Sequence, residues 1–266
     1  LGETQGLLLI SGLPRNGLTT TWTVSLRSTD RLLRDFVLIT PGGPAAEPEV
    51  ENVEELKYDP ETPGEKSTDV LPKLFRKQPD VLALPNTSDP LAIDLVAGYV
   101  TREEKMAILS LRAKDSVEAL LRLLALKVEA DEVVPTLRGV LYGRLIRKLC
   151  DKCKEAYTPT AELLGKLGIP EGRVSAFYRE AQPPADPKQH KPCTQCQDLG
   201  YYGRTAIFEL LVVDENLRKA LLTQPKMEVL RKLARQAGAR TLQEEGIVLV
   251  AKGVTSIKEL QRVLSG

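Results

Sequence analysis

Four short apolar runs constrain the fold of this chain more than any other feature. Residues 6–12 (GLLLISG), 35–40 (DFVLIT), 80–84 (DVLAL) and 105–111 (KMAILSL) are continuous in their hydrophobicity rather than alternating. A strand with one solvated face alternates, so runs of this kind belong to strands buried on both faces, as in a parallel sheet. Helical stretches such as residues 115–126 lie between or after them. Strands interleaved with helices predict an α/β fold whose sheet is covered on both sides. The 266 residues suffice for one large domain, or for a domain with a smaller module.

Charge excludes little at first sight. There are 37 Lys and Arg against 36 Asp and Glu, a formal net charge of +1, which gives no support to a general nucleic-acid binder. No apolar run approaches the ~18 residues of a membrane span. The chain opens on Leu1 with no basic segment leading into an apolar one, so it reads as an excised fragment rather than as a secretory precursor. The near-neutral total also hides an asymmetry. Residues 41–69 hold nine acidic and two basic residues with five prolines and three glycines, leaving 35 basic against 27 acidic residues elsewhere. That composition predicts a solvated, mobile acidic loop.

The C-terminal part reads as a turn and strand over residues 200–213, then helices. Asp214 is an N-cap candidate for residues 215–222, residues 227–237 carry helical apolar spacing, and Thr241 with Glu244 matches a capping box. Gly253 and residues 255–264 make a stop and a last helix, and no internal repeat is evident.

All four cysteines fall into two Cys-x-x-Cys pairs, Cys150 with Cys153 and Cys193 with Cys196. A two-residue spacer lets both sulfurs of a pair reach one ion at ~2.3 Å, so the set predicts a closed, structural tetracysteine Zn²⁺ site. Two disulfides or four unconnected buried thiols are the alternatives; nothing points to the oxidising compartment that disulfides need. The 39 residues between the pairs form a long excursion that a metal would tie back at its base. The single histidine, His190, reads as a surface residue and not a ligand.

Residues 12–19 (GLPRNGLT) fit a phosphate-binding loop at Gly12, Gly17 and Thr19, between a predicted strand and a predicted helix. Leu18 stands where the pattern demands Lys. Backbone N–H groups and the hydroxyl could still cradle phosphate and Mg²⁺, but Pro14 lacks an N–H and Arg15 supplies only a flexible charge. The candidate nucleotide-binding residues are Gly12, Arg15, Gly17, Thr19 and Thr20, and a plain strand-to-helix turn without nucleotide is the alternative. Trp22 reads as core or interface packing rather than a base-stacking platform. Arg144, Arg147 and Lys148 read as a solvated basic face, which could also meet a partner protein or anionic lipid.

Taken together, the chain resembles the type II secretion and type IV pilus assembly ATPases, the GspE/PilB-like branch of the secretion ATPases, over essentially its whole length. Residues 137–157 (LRGVLYGRLIRKLCDKCKEAY) and 193–211 (CTQCQDLGYYGRTAIFELL) are similar to the family's two cysteine segments. Residues 241–246 (TLQEEG), 253–255 (GVT) and Glu259 are similar to its closing helices.

The resemblance implies a RecA-like P-loop NTPase fold with a mostly parallel sheet over residues 1–149. A zinc-binding module over 150–205 would follow, then a last strand and C-terminal helical region over 206–266. It further implies a homo- or hetero-oligomer, a hexameric ring in the full-length protein, on the cytoplasmic side of the inner membrane and docked to a platform membrane protein. No nucleic-acid partner is expected. An N-terminal domain helps form the family's ring, and a fragment without it could be monomeric.

The catalytic motifs depart from the family's. Leu18 replaces the Walker A Lys. The acidic box after the second strand is residues 38–44 (LITPGGP), without a carboxylate; the Walker B segment, which should end Gly-Glu-x-x-Asp, is residues 78–89 (QPDVLALPNTSD), with Asn86 for Glu. The His box is residues 109–112 (LSLR), with Arg112 for His. Phosphoryl transfer depends on positioned charge, so we assign no catalytic residue and expect a pseudo-ATPase for which ATP and Mg²⁺ are doubtful cofactors. An active motor with displaced catalytic groups, Arg15 standing in for Lys, and a zinc-stabilised interaction module without nucleotide are the competing readings.

Overall fold

A computed structural model describes residues 5–30, 32–41, 50–170, 172–182 and 191–265. Seven strands form the main sheet: β1 (Gly6–Gly12), β2 (Phe36–Pro41), β3 (Val53–Tyr58), β4 (Val81–Leu84), β5 (Met106–Arg112), β6 (Leu137–Leu149) and β9 (Tyr201–Val212). Their spatial order is β3-β2-β4-β5-β1-β6-β9, and β1 runs parallel to both β5 and β6, as β2 does to β3 and β4. A separate antiparallel pair joins β7 (Glu155–Tyr157) to β8 (Phe177–Arg179).

The continuous apolar runs have the predicted cause. Leu7 and Leu9, Val37 and Ile39, Leu82 and Leu84, and Ala107 and Leu109 enter one buried cluster. Their alternates Ile10, Phe36, Leu38, Val81, Ala83, Met106 and Ile108 enter another. Both faces of each strand are therefore dry. Helices α3 (Pro90–Arg102) and α4 (Ser116–Ala125) supply residues to the first cluster, as do α5 (Ala130–Thr136), α7 (Glu215–Thr223) and α8 (Met227–Gln236). Helix α1 (Leu18–Arg27) covers the second through Trp22 and Leu26, so Trp22 is a core residue, 2% exposed.

The expected acidic loop over 41–69 is corrected in part. Residues 42–49 lie outside the described ones, but residues 53–58 form β3, paired in parallel register with β2, and α2 (Ser67–Phe75) begins at 67. β3 is an edge strand whose Glu54, Glu55 and Lys57 are largely in water. Charge is what an edge strand carries when it must not recruit another strand. Thr40 Oγ1 donates to Glu55 Oε1 at 3.0 Å, fixing one of these carboxylates to the neighbouring strand.

The chain divides into two compact units, residues 1–143 with 209–239, and residues 144–208 with 240–266. Both large apolar clusters lie in the first. The second contains β7 and β8, α6 (Ala161–Lys166), α9 (Leu242–Ala251) and α10 (Ile257–Ser265), with the capping box of Thr241 and Glu244 opening α9 as expected. α10 packs on α9 at Gly246, where a Cβ would collide with the Leu260 side chain.

The second unit also buries a charge. Glu259 is 1% exposed and accepts from Arg262 Nε at 2.7 Å, from Arg147 Nε at 2.9 Å and from the Arg147 backbone N–H at 3.1 Å. The Arg147 guanidinium also lies 4.2 Å from the centre of the Tyr201 ring. Arg147 is thus no part of a simply solvated basic face. Burial alone would raise the Glu259 carboxyl, but the hydrogen bonds from Arg262 and Arg147 outweigh it and hold it at about 2.

Because the folded value lies below that of the unfolded chain, the ionised form stabilises the fold above about pH 4.5, and the contribution fades as pH falls through 2. Discounted for its half-exposed arginines, it amounts to roughly 2 kcal/mol. Glu259→Gln is therefore expected to be less stable than the parent by about that much at pH 7, with the gap closed near pH 2. Chemical denaturation at both pH values measures it; an equal gap at both would contradict the ion-pair account.

Candidate functional site

Parallel register collects several of the positions singled out in the sequence on one edge of the sheet. Gly12 ends β1 directly opposite Arg112, the last residue of β5, and on its other side opposite Gly143 of β6. Asn86 follows β4 in left-handed conformation (φ 47°), its backbone N–H donating to Ser110 Oγ at 2.8 Å while the Thr87 N–H donates to the Ser110 carbonyl at 2.8 Å. Ser110, unremarked in the sequence, thus clamps the turn that carries Asn86 to the strand that carries Arg112. Ligands of open α/β sheets bind beyond this edge, at the carboxyl ends of the strands.

The loop itself turns from β1 into α1 through Arg15 (φ 64°) and Gly17 (φ 86°). Gly17 is the α1 N-cap, and its positive φ accounts for the glycine. Arg15, Thr19 and Thr20 are exposed, Gly12 is buried and Gly17 half-buried. Two donors that a phosphate cradle would use are missing: Pro14 has none, and the Asn16 N–H donates back to the Leu13 carbonyl at 3.1 Å. The Leu18 side chain packs against the core cluster that contains Ile10 and Trp22. A Cβ on Gly12 would approach the Leu18 Cβ to 3.5 Å and the Gly143 carbonyl to 3.2 Å. The Leu18 side chain is thus spent on packing.

Asp89 ends the segment read in the sequence as Walker B. It caps α3, accepting from the Leu91 and Ala92 N–H groups at 3.1 and 3.3 Å, and it takes the Ser67 hydroxyl at 2.5 Å. The Asp-Pro start at residues 89–90 signals that cap. The retained acid therefore has an architectural occupation.

The four cysteines converge in the second unit. Their Sγ atoms all lie within 4.8 Å of one another, with Cys150 to Cys193 at 3.8 Å and Cys153 to Cys196 at 3.5 Å. A disulfide would need ~2.05 Å. Four sulfurs at ~2.3 Å from one ion would sit about 3.8 Å apart along the edges of a tetrahedron, so the spacing fits a metal ion held by all four.

Each pair is a tight turn. The Cys153 N–H donates to the Cys150 carbonyl at 3.2 Å and the Gln197 N–H to the Cys193 carbonyl at 2.9 Å, while Gln197 (φ 51°) and Asp198 (φ 65°) reverse the chain. Asp198 Oδ1 accepts from the Cys193 N–H at 2.9 Å, and the Gly200 carbonyl accepts from the Cys150 N–H at 3.0 Å. Gly200 has φ 71° and its absent Cβ would lie 2.5 Å from that of Glu180, so no other residue fits there. Backbone N–H groups of Cys196 and Gln195 draw the Cys193 thiol down to about 6, whereas burial raises Cys150 and Cys153. His190 lies outside the described residues.

Comparison with known proteins agrees with this geometry. The Thermus thermophilus "Type IV pilus assembly ATPase PilB" is 27% identical over 261 residues, 98% of this chain and 28% of that protein. The Xanthomonas campestris "Type II secretion system protein E" is 28% identical over 264 residues, 99% of this chain and 44% of that protein. The Escherichia coli "Protein transport protein HofB homolog" is 29% identical over 264 residues, 99% and 53% respectively. The chain thus spans between about a quarter and half of the length of these relatives. In fold it is similar to the Legionella pneumophila ATPase DotB (TM-score 0.60, 16% identity, 99% of this chain and 61% of that one). It is likewise similar to the pilus retraction motor PilT with bound ADP (TM-score 0.59, 15% identity, 97% and 61%). No described helix is long and apolar enough to cross a membrane. The family model for "Type II/IV secretion system protein" matches residues 1–262, nearly the whole chain, and this chain belongs to that family.

Proposed function

We propose that this chain is a hydrolysis-deficient subunit of the secretion and pilus ATPase family, with a structural or regulatory role in a type II secretion or type IV pilus assembly machine. The observation that carries the reading is Leu18, packed on the core where a Lys would reach phosphate. The neighbouring substitutions point the same way: Asn86 has no carboxylate to organise water or metal, and Asp89 is engaged as a helix cap. The candidate residues Gly12, Arg15, Gly17, Thr19 and Thr20 retain the course of a phosphate loop without its charge or its full set of donors.

Zinc is the metal we assign to Cys150, Cys153, Cys193 and Cys196, because four thiolates in a tetrahedral arrangement suit a borderline-soft ion with no open coordination position. Membership in a ring of six at the cytoplasmic face of the inner membrane, against a platform protein, goes with the family reading. The test of the central proposal is turnover. Purified full-length protein, alone and with its membrane partners, is expected to release phosphate from Mg-ATP at the background rate. Motor-like release that Thr19→Ala abolishes would overturn the proposal.

A further inference from the structure

A cleft of about 530 Å³ opens on the same edge of the sheet, beyond β4 and β5, and it shares no residue with the phosphate-loop turn. Its polar lining is Asn86, Thr87, Ser88, Arg112 and Arg122, and its apolar lining includes Leu111 and Leu126. No carboxylate lines it. Arg122 shares its charge with Glu118, Nε to Oε1 at 2.8 Å, and Arg112 is exposed and makes no ion pair among the described residues. Arg112 is also held in place from behind, since its backbone is fixed opposite Gly12 in the sheet.

We propose that this cleft binds a small amphipathic organic phosphate, a phosphomonoester with a compact aryl or alkyl body. A guanidinium presents a planar fork of donors that matches phosphate oxygens in pairs. Arg112 brings an unshared positive charge to the cleft, with Arg122 also lining it, and an anionic group is favoured over a neutral one. The hydroxyls of Thr87 and Ser88 supply neutral donors beside them. Leu111 and Leu126 take the apolar body, and the volume falls within the range of small-molecule sites. Such a site gives this edge of the sheet a ligand of its own, whether or not ATP is turned over.

The probe is phenyl phosphate, titrated into methyl-labelled protein with nuclear magnetic resonance detection. Saturable shifts are expected at the Leu111 and Leu126 methyls, with benzoate and inorganic phosphate each binding more weakly. Arg112→Gln, at an exposed position where the variant should fold normally, is expected to weaken binding by about tenfold or more. Arg15→Gln is expected to leave it within about twofold. Shifts centred on Leu18 to Thr20, an affinity unchanged by Arg112→Gln, or no saturation by roughly 10 mM would each overturn the proposal. ATP turnover is measured separately, so failure here leaves the pseudo-ATPase reading untouched.

Discussion

Chelation of the zinc proposed for the four cysteines is expected to unfold the described part of the second unit while leaving the parallel sheet around β1, β4 and β5 intact. Among the described residues both large apolar clusters belong to the first unit, whereas the second buries a smaller set that includes Ile146, Leu149, Phe177, Val250 and Leu260. A unit with that smaller core gains much of its stability from a staple. Apparent binding energies of structural zinc reach about 10–16 kcal/mol, well above the stability such a unit could hold alone. The other fastener, Glu259 between Arg147 and Arg262, contributes far less.

Elemental analysis of protein prepared without chelator should therefore find about one zinc per chain, as four thiolates around one ion require. Hydrogen exchange after chelation, or in Cys193→Ser, should rise through β7, β8 and α10 but not in β5. Slow exchange throughout the second unit after the metal is gone would show that the cysteines pack rather than bind.

The parts legible in the sequence are those where a local pattern has a single physical cause. β1, β4 and β5 read as strands because both faces are buried, and the Thr241–Glu244 capping box reads as a helix start because both of its bonds are local. The approach of the four cysteines follows from their spacing. What escaped were features with a distant partner.

β3 looked like loop because its composition is acidic and interrupted by turn residues, yet pairing with β2 makes it a strand. Arg147 looked solvated because the carboxylate that claims it lies 112 residues away in sequence. Leu18 was evidently not Lys, but only packing shows that its side chain is committed to the core. The role of Ser110 also depends on register, which sets it beside the turn after β4.

Restoring one catalytic position is expected to recover nucleotide binding without recovering turnover. In Leu18→Lys the longer side chain must leave the cluster around Ile10 and Trp22, costing about 1 kcal/mol or more of packing, in exchange for a cation able to reach phosphate. Mg-dependent affinity for a non-hydrolysable ATP analogue, expected to be weaker than micromolar in the parent, should improve by about tenfold, as a charge-assisted contact allows.

Hydrolysis should remain at background, because Asn86 still offers no carboxylate and Arg112 still occupies the position of the His. Each lost electrostatic group typically costs about 10²-fold or more in rate, and groups that act together do not recover singly. The double variant Leu18→Lys with Asn86→Glu is the smallest change expected to raise turnover measurably. Calorimetry and phosphate-release assays on the parent, single and double variants separate the two effects. A motor-like rate from Leu18→Lys alone would mean that the remaining substitutions are harmless, and that a single packed leucine had silenced the site.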